Sequence, residues 1–125
     1  MDSWDLKSLE WRPHRPEILY STDECRAIVL DIPAGAIHQD HQVHEGAWIT
    51  VVYGEVDIES RTGESQQAQA GTLAHLPPKE RHELKAVTDS RVLLLLTPWP
   101  GPGHPGAMTL EQKSNARANA AERAS

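Results

Sequence analysis

A cadence of short apolar runs and turn signals constrains this 125-residue chain more than any other feature. "EILYS" (17–21) and "CRAIVLDI" (25–32) are β-rich, split by the turn-like "TDE" and stopped by Pro33. "AWITVVY" reaches Gly54-Glu55 and returns as the alternating "VDIES", and a glycine opening a two-residue link suits a tight hairpin. "RTGESQQAQA" is polar and reads as a loop or as a strand end exposed to water. "GTLAHLPP" is a short strand halted by two prolines, "HELKAV" alternates, and Thr88-Asp89-Ser90 turns the chain. "RVLLLLT" then returns as a strand buried on both faces. About eight short strands with no helix between them predict an all-β domain, either a sandwich or a small barrel.

The flanks follow different rules. Residues 1–16 read as an extended N-terminal arm, 17–99 as the β-domain, and 100–125 as a Pro/Gly strap followed by a tail. "PWPGPGHPG" places four prolines in nine residues and cannot continue a sheet. After it, Thr109 and Gln112 form a possible capping box, but no large apolar residue follows Leu110. A helix there has little to bury, so a loosely helical tail is expected.

Composition enters as a set of exclusions. The 18 acidic and 12 basic residues give a net charge of −6, which offers nothing to a phosphate backbone and argues against a nucleic-acid partner. The densest apolar run, "VLLLL", is five residues long, so no membrane span is expected. "MDSWDLKSLEW" lacks both the basic start and the apolar core of a signal peptide. The single cysteine, Cys25, permits no internal disulfide, and a reducing cytoplasm is the simplest home.

Chemistry concentrates in "GAIHQDHQVHEGAWITVVYG" (35–54), where three histidines and a glutamate fall within eight residues just before a strand. Gly35 is followed by five residues and then His41, and Gly54 closes the next strand. Further on, Gly71 precedes Pro77 by six positions, and His82 follows. In this frame the sequence resembles the cupin family over residues 18–99. That family carries glycine, five residues, His-any-His, three or four residues, Glu, six residues, Gly. A second motif carries glycine, five residues, Pro-any-Gly, two residues, His, three residues, Asn. The resemblance implies a cupin-type small β-barrel, a double-stranded β-helix or jelly roll, with a divalent metal on His, His, Glu and His. Only His41 and His82 carry over directly: Val43 stands at the second histidine, Ala47 or Trp48 at the glutamate, Lys79 at the second glycine and Ala86 at the asparagine.

Two neighbours can replace the missing ligands. Strict strand alternation puts His41, Val43, Glu45 and Ala47 on one face, which offers His41 plus Glu45 and sends His44 outward. A turn or bulge at Gly46 instead re-aims His44 inward. The set carried forward is His41, His44 and His82, with Glu45 in place of His44 as the alternative. The metal would be Fe, Mn, Ni or Zn, and the resemblance does not choose among them. His75 is read as a hydrogen-bonded strand residue rather than a cavity liner, and His38 as a surface residue. His14 and His104 are read as solvated, and Cys25 as a packing residue.

Two functions are then open. One is a small-molecule-binding cupin whose metal supports an oxygenase or isomerase reaction on a small oxygenated substrate, with no catalytic residue assignable. The other is a non-catalytic ligand-binding or sensory cupin with a degenerate, metal-free site. Either is expected to be a homodimer, since small cupins commonly pair through N-terminal strands. The apolar groups of "SLEWRPHRPEILY" need a surface, either their own outer sheet or a second copy's, and pairing would bring the segment from about Leu9 to Tyr20 across the partner.

Overall fold

A period of two in burial decides the architecture. A computed structural model describes residues 1–39, 45–60, 63–98 and 100. Its strands are β1 Glu17–Ser21, β2 Arg26–Ile32, β3 Ile37–Gln39, β4 Gly46–Tyr53, β5 Glu55–Ser60, β6 Ser65–Gln69, β7 Leu73–Leu76, β8 His82–Ala86 and β9 Ser90–Thr97. Every second residue of β4 (Ala47, Ile49, Val51) and of β9 (Val92, Leu94, Leu96) is buried, and the register sets these residues opposite one another. Val56 and Ile58 of β5 and Leu84 and Ala86 of β8 do the same in the second sheet. One apolar face per sheet leaves a single economical solution, two sheets packed face to face around a shared core.

The sheets run β1-β2-β9-β4-β7 and β3-β8-β5-β6, and every strand pairing is antiparallel. The all-β expectation therefore holds. The described residues contain nine strands, where the sequence suggested about eight. Three-residue β3 was not foreseen, and β6 lies within the polar stretch, burying only Ala68. No helix among the described residues is long and apolar enough to cross a membrane. The expected helical tail beyond Thr109 lies outside the described residues.

One end of the barrel is tied shut. Gly54 links β4 to β5 at φ +88°, and a Cβ there would lie 2.6 Å from the Asp89 carbonyl oxygen of the β8–β9 turn. Only glycine meets both demands. The two turns are then bonded together. The Glu55 amide donates to Thr88 Oγ1 at 3.1 Å, Ser90 Oγ donates to the Glu55 carbonyl at 3.1 Å, and the Val87 amide donates to the same carbonyl at 2.8 Å.

Outside the five-stranded sheet, the chain buries an ion pair. Asp31 on β2 and Arg91 on β9 are cross-strand partners on the outward face, yet Arg91 is only 1% exposed. The guanidinium binds the carboxylate through both Nε and Nη2, the latter at 2.9 Å. Its remaining donors reach the arm, with Nη1 to the Leu6 carbonyl at 2.8 Å and Nη2 to the Glu10 carbonyl at 3.3 Å. Asp31 completes the clasp by accepting from the Arg12 amide at 3.0 Å, and its backbone carbonyl accepts from the His14 amide at 3.0 Å. Trp11 packs on Tyr53 and Trp4 on Tyr20, so the arm covers the outer surface of its own sheet. The arm thus lies on one of the two surfaces it was expected to seek, the outer sheet of its own chain.

The hydrogen bond from Asp31 raises the Arg91 pKa above its ordinary value, while burial acts in the opposite direction. Burial instead raises the pKa of the Tyr53 phenol, against the nearby guanidinium, whose carbon lies 5.3 Å from the ring centroid. Removing one member of a buried pair strands the other, at about 3–5 kcal/mol, whereas replacing both with apolar residues of similar volume is close to neutral. Arg91→Ala should therefore lower stability by about 3 kcal/mol or more in chemical denaturation. The double variant Asp31→Leu/Arg91→Met should keep stability near wild type but release the arm, seen as faster proteolysis before Glu17. An arm equally protected in the double variant would show that the clasp does not hold it.

Candidate functional site

The strand directions leave one end of the barrel open for chemistry. β4 runs from Gly46 toward the closed turn at Gly54, and β5 returns from that turn to Ser60. His82 opens β8 opposite Ser60, and Thr97 ends β9 opposite Gly46. Glu45, Ser60, His82 and Thr97 thus lie at the same end, away from Gly54.

Two ionisable side chains are buried there. His82 is 4% exposed and shares the inner face of β8 with Leu84 and Ala86. Glu45 is 1% exposed and lies at a bend immediately before β4. The floor beneath them is apolar, built from the cross-strand row Leu96–Ala47–Leu76 of one sheet and by Leu84 of the other. Ser60, half-buried, adds a hydroxyl on the strand beside His82.

Of the predicted ligands, only His82 falls among the described residues. His41 and His44 lie outside them. Among the described residues no three His, Cys, Asp or Glu side chains gather as a metal-binding group. Glu45, the alternative donor, is described and is buried, at a bend one residue before β4. A carboxylate and an imidazole over an apolar floor form a donor pair suited to a first-row divalent ion, two ligands short of a closed tetrahedral site.

Of the other described histidines, His38 differs from its sequence reading. His38 pairs with fully buried Leu84 and so faces inward, half-buried, while its neighbour Ile37 pairs with exposed Lys85. A three-residue strand was too short for its alternation to be read in advance. His75 is a strand residue, as read, on the exposed outward face of β7, its ring tilted against Trp48 with centroids 4.4 Å apart. His14 is exposed, as expected, and Cys25 is half-buried at the head of β2.

The motif departures now have physical explanations. Ala47, in the glutamate position, is 0% exposed and fills the core floor, while Trp48 points outward. Ala86, in the asparagine position, is a core residue paired with Val56. Lys79 keeps the backbone that the missing glycine would have supplied. Its φ is +67°, and the Glu80 amide donates back to the Pro77 carbonyl at 3.4 Å. Pro78 followed by a positive φ is the signature of a type II turn, and this turn delivers the chain to His82.

The comparisons agree with this geometry. The cupin domain family model matches residues 28–98, more than half of the chain. The protein belongs to the cupin family, as an all-β, single-barrel member. No curated protein matches the sequence. Among solved structures, an RmlC-like cupin from Desulfovibrio desulfuricans superposes with a TM-score of 0.69 at 21% identity, over 78% of this chain and 97% of that one. KdgF from Halomonas sp. gives 0.63 at 24% identity, over 74% of this chain and 90% of that one. The DMSP lyase DddQ from Ruegeria pomeroyi gives 0.59 at 19% identity, over 66% of this chain and 41% of the lyase. At such identities the likeness is one of fold.

The turn at Lys79 yields a stability test. A left-handed backbone costs a non-glycine residue about 1 kcal/mol, and the extra unfolded-state freedom of glycine returns part of that. Lys79→Gly should raise the midpoint of thermal unfolding by a gain of up to about 1 kcal/mol, with Lys79→Ala near wild type and Lys79→Val below it. A glycine variant less stable than alanine would contradict the assigned turn.

Proposed function

We propose that this cupin binds a small oxygenated molecule at the open end of its barrel, beside a divalent metal held by His82, Glu45 and His41. The observation that carries the proposal is the burial of both Glu45 and His82 at the same end of the barrel. This reading takes Glu45, the alternative donor, ahead of His44 as the third ligand, because Glu45 is buried at 1% exposure. When bound, an Fe, Mn, Ni or Zn ion would supply a Lewis acid or an oxygen-activating centre in a water-poor chamber. The chain's own part is to fix the donors, exclude water with Ala47, Leu76, Leu84 and Leu96, and offer the Ser60 hydroxyl to a polar ligand. An isomerase, lyase or oxygenase reaction fits such a chamber. The lyase among the structural neighbours supports a catalytic reading without choosing the reaction.

The second reading is a binding or sensory cupin without metal, favoured by Ala47, which closes the family's glutamate position with a core methyl. Elemental analysis of untagged protein separates the two. The metal reading expects a stoichiometric ion, lost in His82→Ala and in Glu45→Ala but retained in His44→Ala, and bound more weakly as falling pH lets protons compete for imidazole. Wild type that carries no ion and gains no thermal stability from Fe, Mn, Ni or Zn supports the metal-free reading instead. Loss of metal in His44→Ala but not in Glu45→Ala returns the third ligand to His44.

Assembly as a cytoplasmic homodimer belongs to the same proposal. The arm covers one part of the outer sheet, while Trp48 (39% exposed) and Leu73 (59% exposed) remain open on β4 and β7. With Thr50 and His75, these outward positions carry no formal charge, which matters for a molecule of net charge −6 meeting its own copy. Sedimentation of wild type should give a dimer at micromolar concentration and Leu73→Asp a folded monomer. A monomeric wild type would rule out the pairing.

A further inference from the structure

The interior of this barrel is apolar over most of its height, so a cation on an inner strand position needs an explanation. The connections β2–β3, β4–β5, β6–β7 and β8–β9 all turn at the Gly54 end, joining β2 to β3, β9 to β8, β4 to β5 and β7 to β6 across the two sheets. β2 therefore begins at the open end, and its first residue is Arg26. Arg26 pairs directly with Leu96, Leu96 with Ala47, and Ala47 with Leu76. Directly opposed residues share a face, and the last three are buried in the core. The row that forms the apolar floor is thus continued on β2 by a half-buried arginine. Among the described strand residues whose register places them on inner faces, Arg26 is the only lysine or arginine. Lys85 pairs with Ile37 and Asp57 on the outer face of its sheet, and Arg91 lies under the arm.

We propose that Arg26 is the recognition residue of the open end, and that the ligand it recognises is a short carboxylate carrying a second oxygen function. The inference rests on the reading of the open end as a small-molecule site and narrows its substrate class. Ser21 Oγ, on the neighbouring strand, accepts from Arg26 Nε at 3.1 Å, which anchors the stem of the side chain at the rim. The fork of Nη1 and Nη2 lies beyond that anchor. A guanidinium meets a carboxylate through parallel N–H···O bonds and keeps its charge at every physiological pH. The row beside it offers methyl and methylene groups to the hydrocarbon part of an acid. For the second oxygen, the facing sheet presents His82 with Ser60 opposite it, and His38 on the inner face of β3, the strand joined to β2. Long-range charge works against such a ligand, because the chain carries −6 overall. Affinity for an acid must then be local, and one inward arginine supplies it. A neutral polyol would gain far less from that charge.

The test titrates the full-length protein by calorimetry with lactate, malonate and succinate, and with their uncharged amides lactamide, malonamide and succinamide. At least one acid should bind, about tenfold more tightly than its amide or better. Arg26→Gln should weaken that acid by about tenfold or more, as for a lost hydrogen bond to a charged group, and bring it level with the amide. Arg26→Lys should fall between the two, because a point charge lacks the fork. Lys85→Gln removes a cation from the outer face and should bind like wild type, which separates local recognition from net charge. Arg26 is no ligand of the proposed metal site, so Arg26→Gln should carry the same metal content as wild type. Should the glutamine variant fail to fold, Arg26→Lys judges the inference through the same ratio of acid to amide, which should drop severalfold. An acid that binds Arg26→Gln as tightly as wild type, or Lys85→Gln as weakly as Arg26→Gln, overturns the inference. Preference for the amides, or for glycerol or erythritol, over every acid overturns it and leaves the small-molecule reading standing. Wild type that binds none of these probes and no metal removes both.

Discussion

A guanidinium with almost no water around it organises the outside of this barrel. Arg91 spends its donors on Asp31 and on two carbonyls of the arm, and Asp31 spends its acceptors on Arg91 and on an arm amide. Neither charge could be buried alone, because desolvating an ion costs several kcal/mol that only a close, well-aligned partner returns. The pair is therefore a condition on the arm. If the arm lifts, the Leu6 and Glu10 carbonyls and the Arg12 and His14 amides lose their partners together, and the ion pair loses its cover. This is why a segment of sixteen residues with no core of its own can lie ordered on a sheet.

The barrel then divides its labour between two ends. At the closed end, Gly54 lets two hairpin turns approach to bonding distance, and Ser90 and Thr88 lock them. That contact ties the β4–β5 and β8–β9 turns together at one end of the barrel. Rigidity at one end supplies precision at the other, the requirement for any site whose donors come from different strands. Glu45 and His82 are far apart in sequence, and the hairpin geometry brings them to the same rim.

Legibility followed the period of two. β1, β4, β5 and β9 could be read to within a residue because each runs long enough for alternation or an apolar run to declare itself. β3 could not, at three residues, and with it went the inward placement of His38. β6 was hidden by composition, since four of its five positions are exposed and polar. The outward half of β9 read as apolar, which is true of Leu93 and Leu95. Nothing local, however, marked Arg91 as buried, because its cover comes from residues 6–14 and its counter-charge from β2. The same limit applied to His75. Its contact with Trp48 lies between two strands, and no window of sequence contains both.

The degenerate motif is better described as a displacement than as a loss. The family's glutamate position falls on Ala47 when counted from His41, and the nearest carboxylate, Glu45, stands two residues earlier. A shift of one residue, as for His44 against position 43, exchanges the faces of a strand, while a shift of two keeps the face and moves the group about 6–7 Å along the strand. Glu45 would, on the proposed reading, keep the family's direction farther from Gly54, and Ala47, fully buried, fills the vacated level with a methyl group. On the reading proposed above, an ion held by Glu45 would sit higher in the barrel than the family motif implies, over a floor sealed by Ala47, Leu76 and Leu96. The substitutions that seem to dismantle the motif are those that a raised site requires, because a glutamate left at position 47 would be a second carboxylate buried below the first.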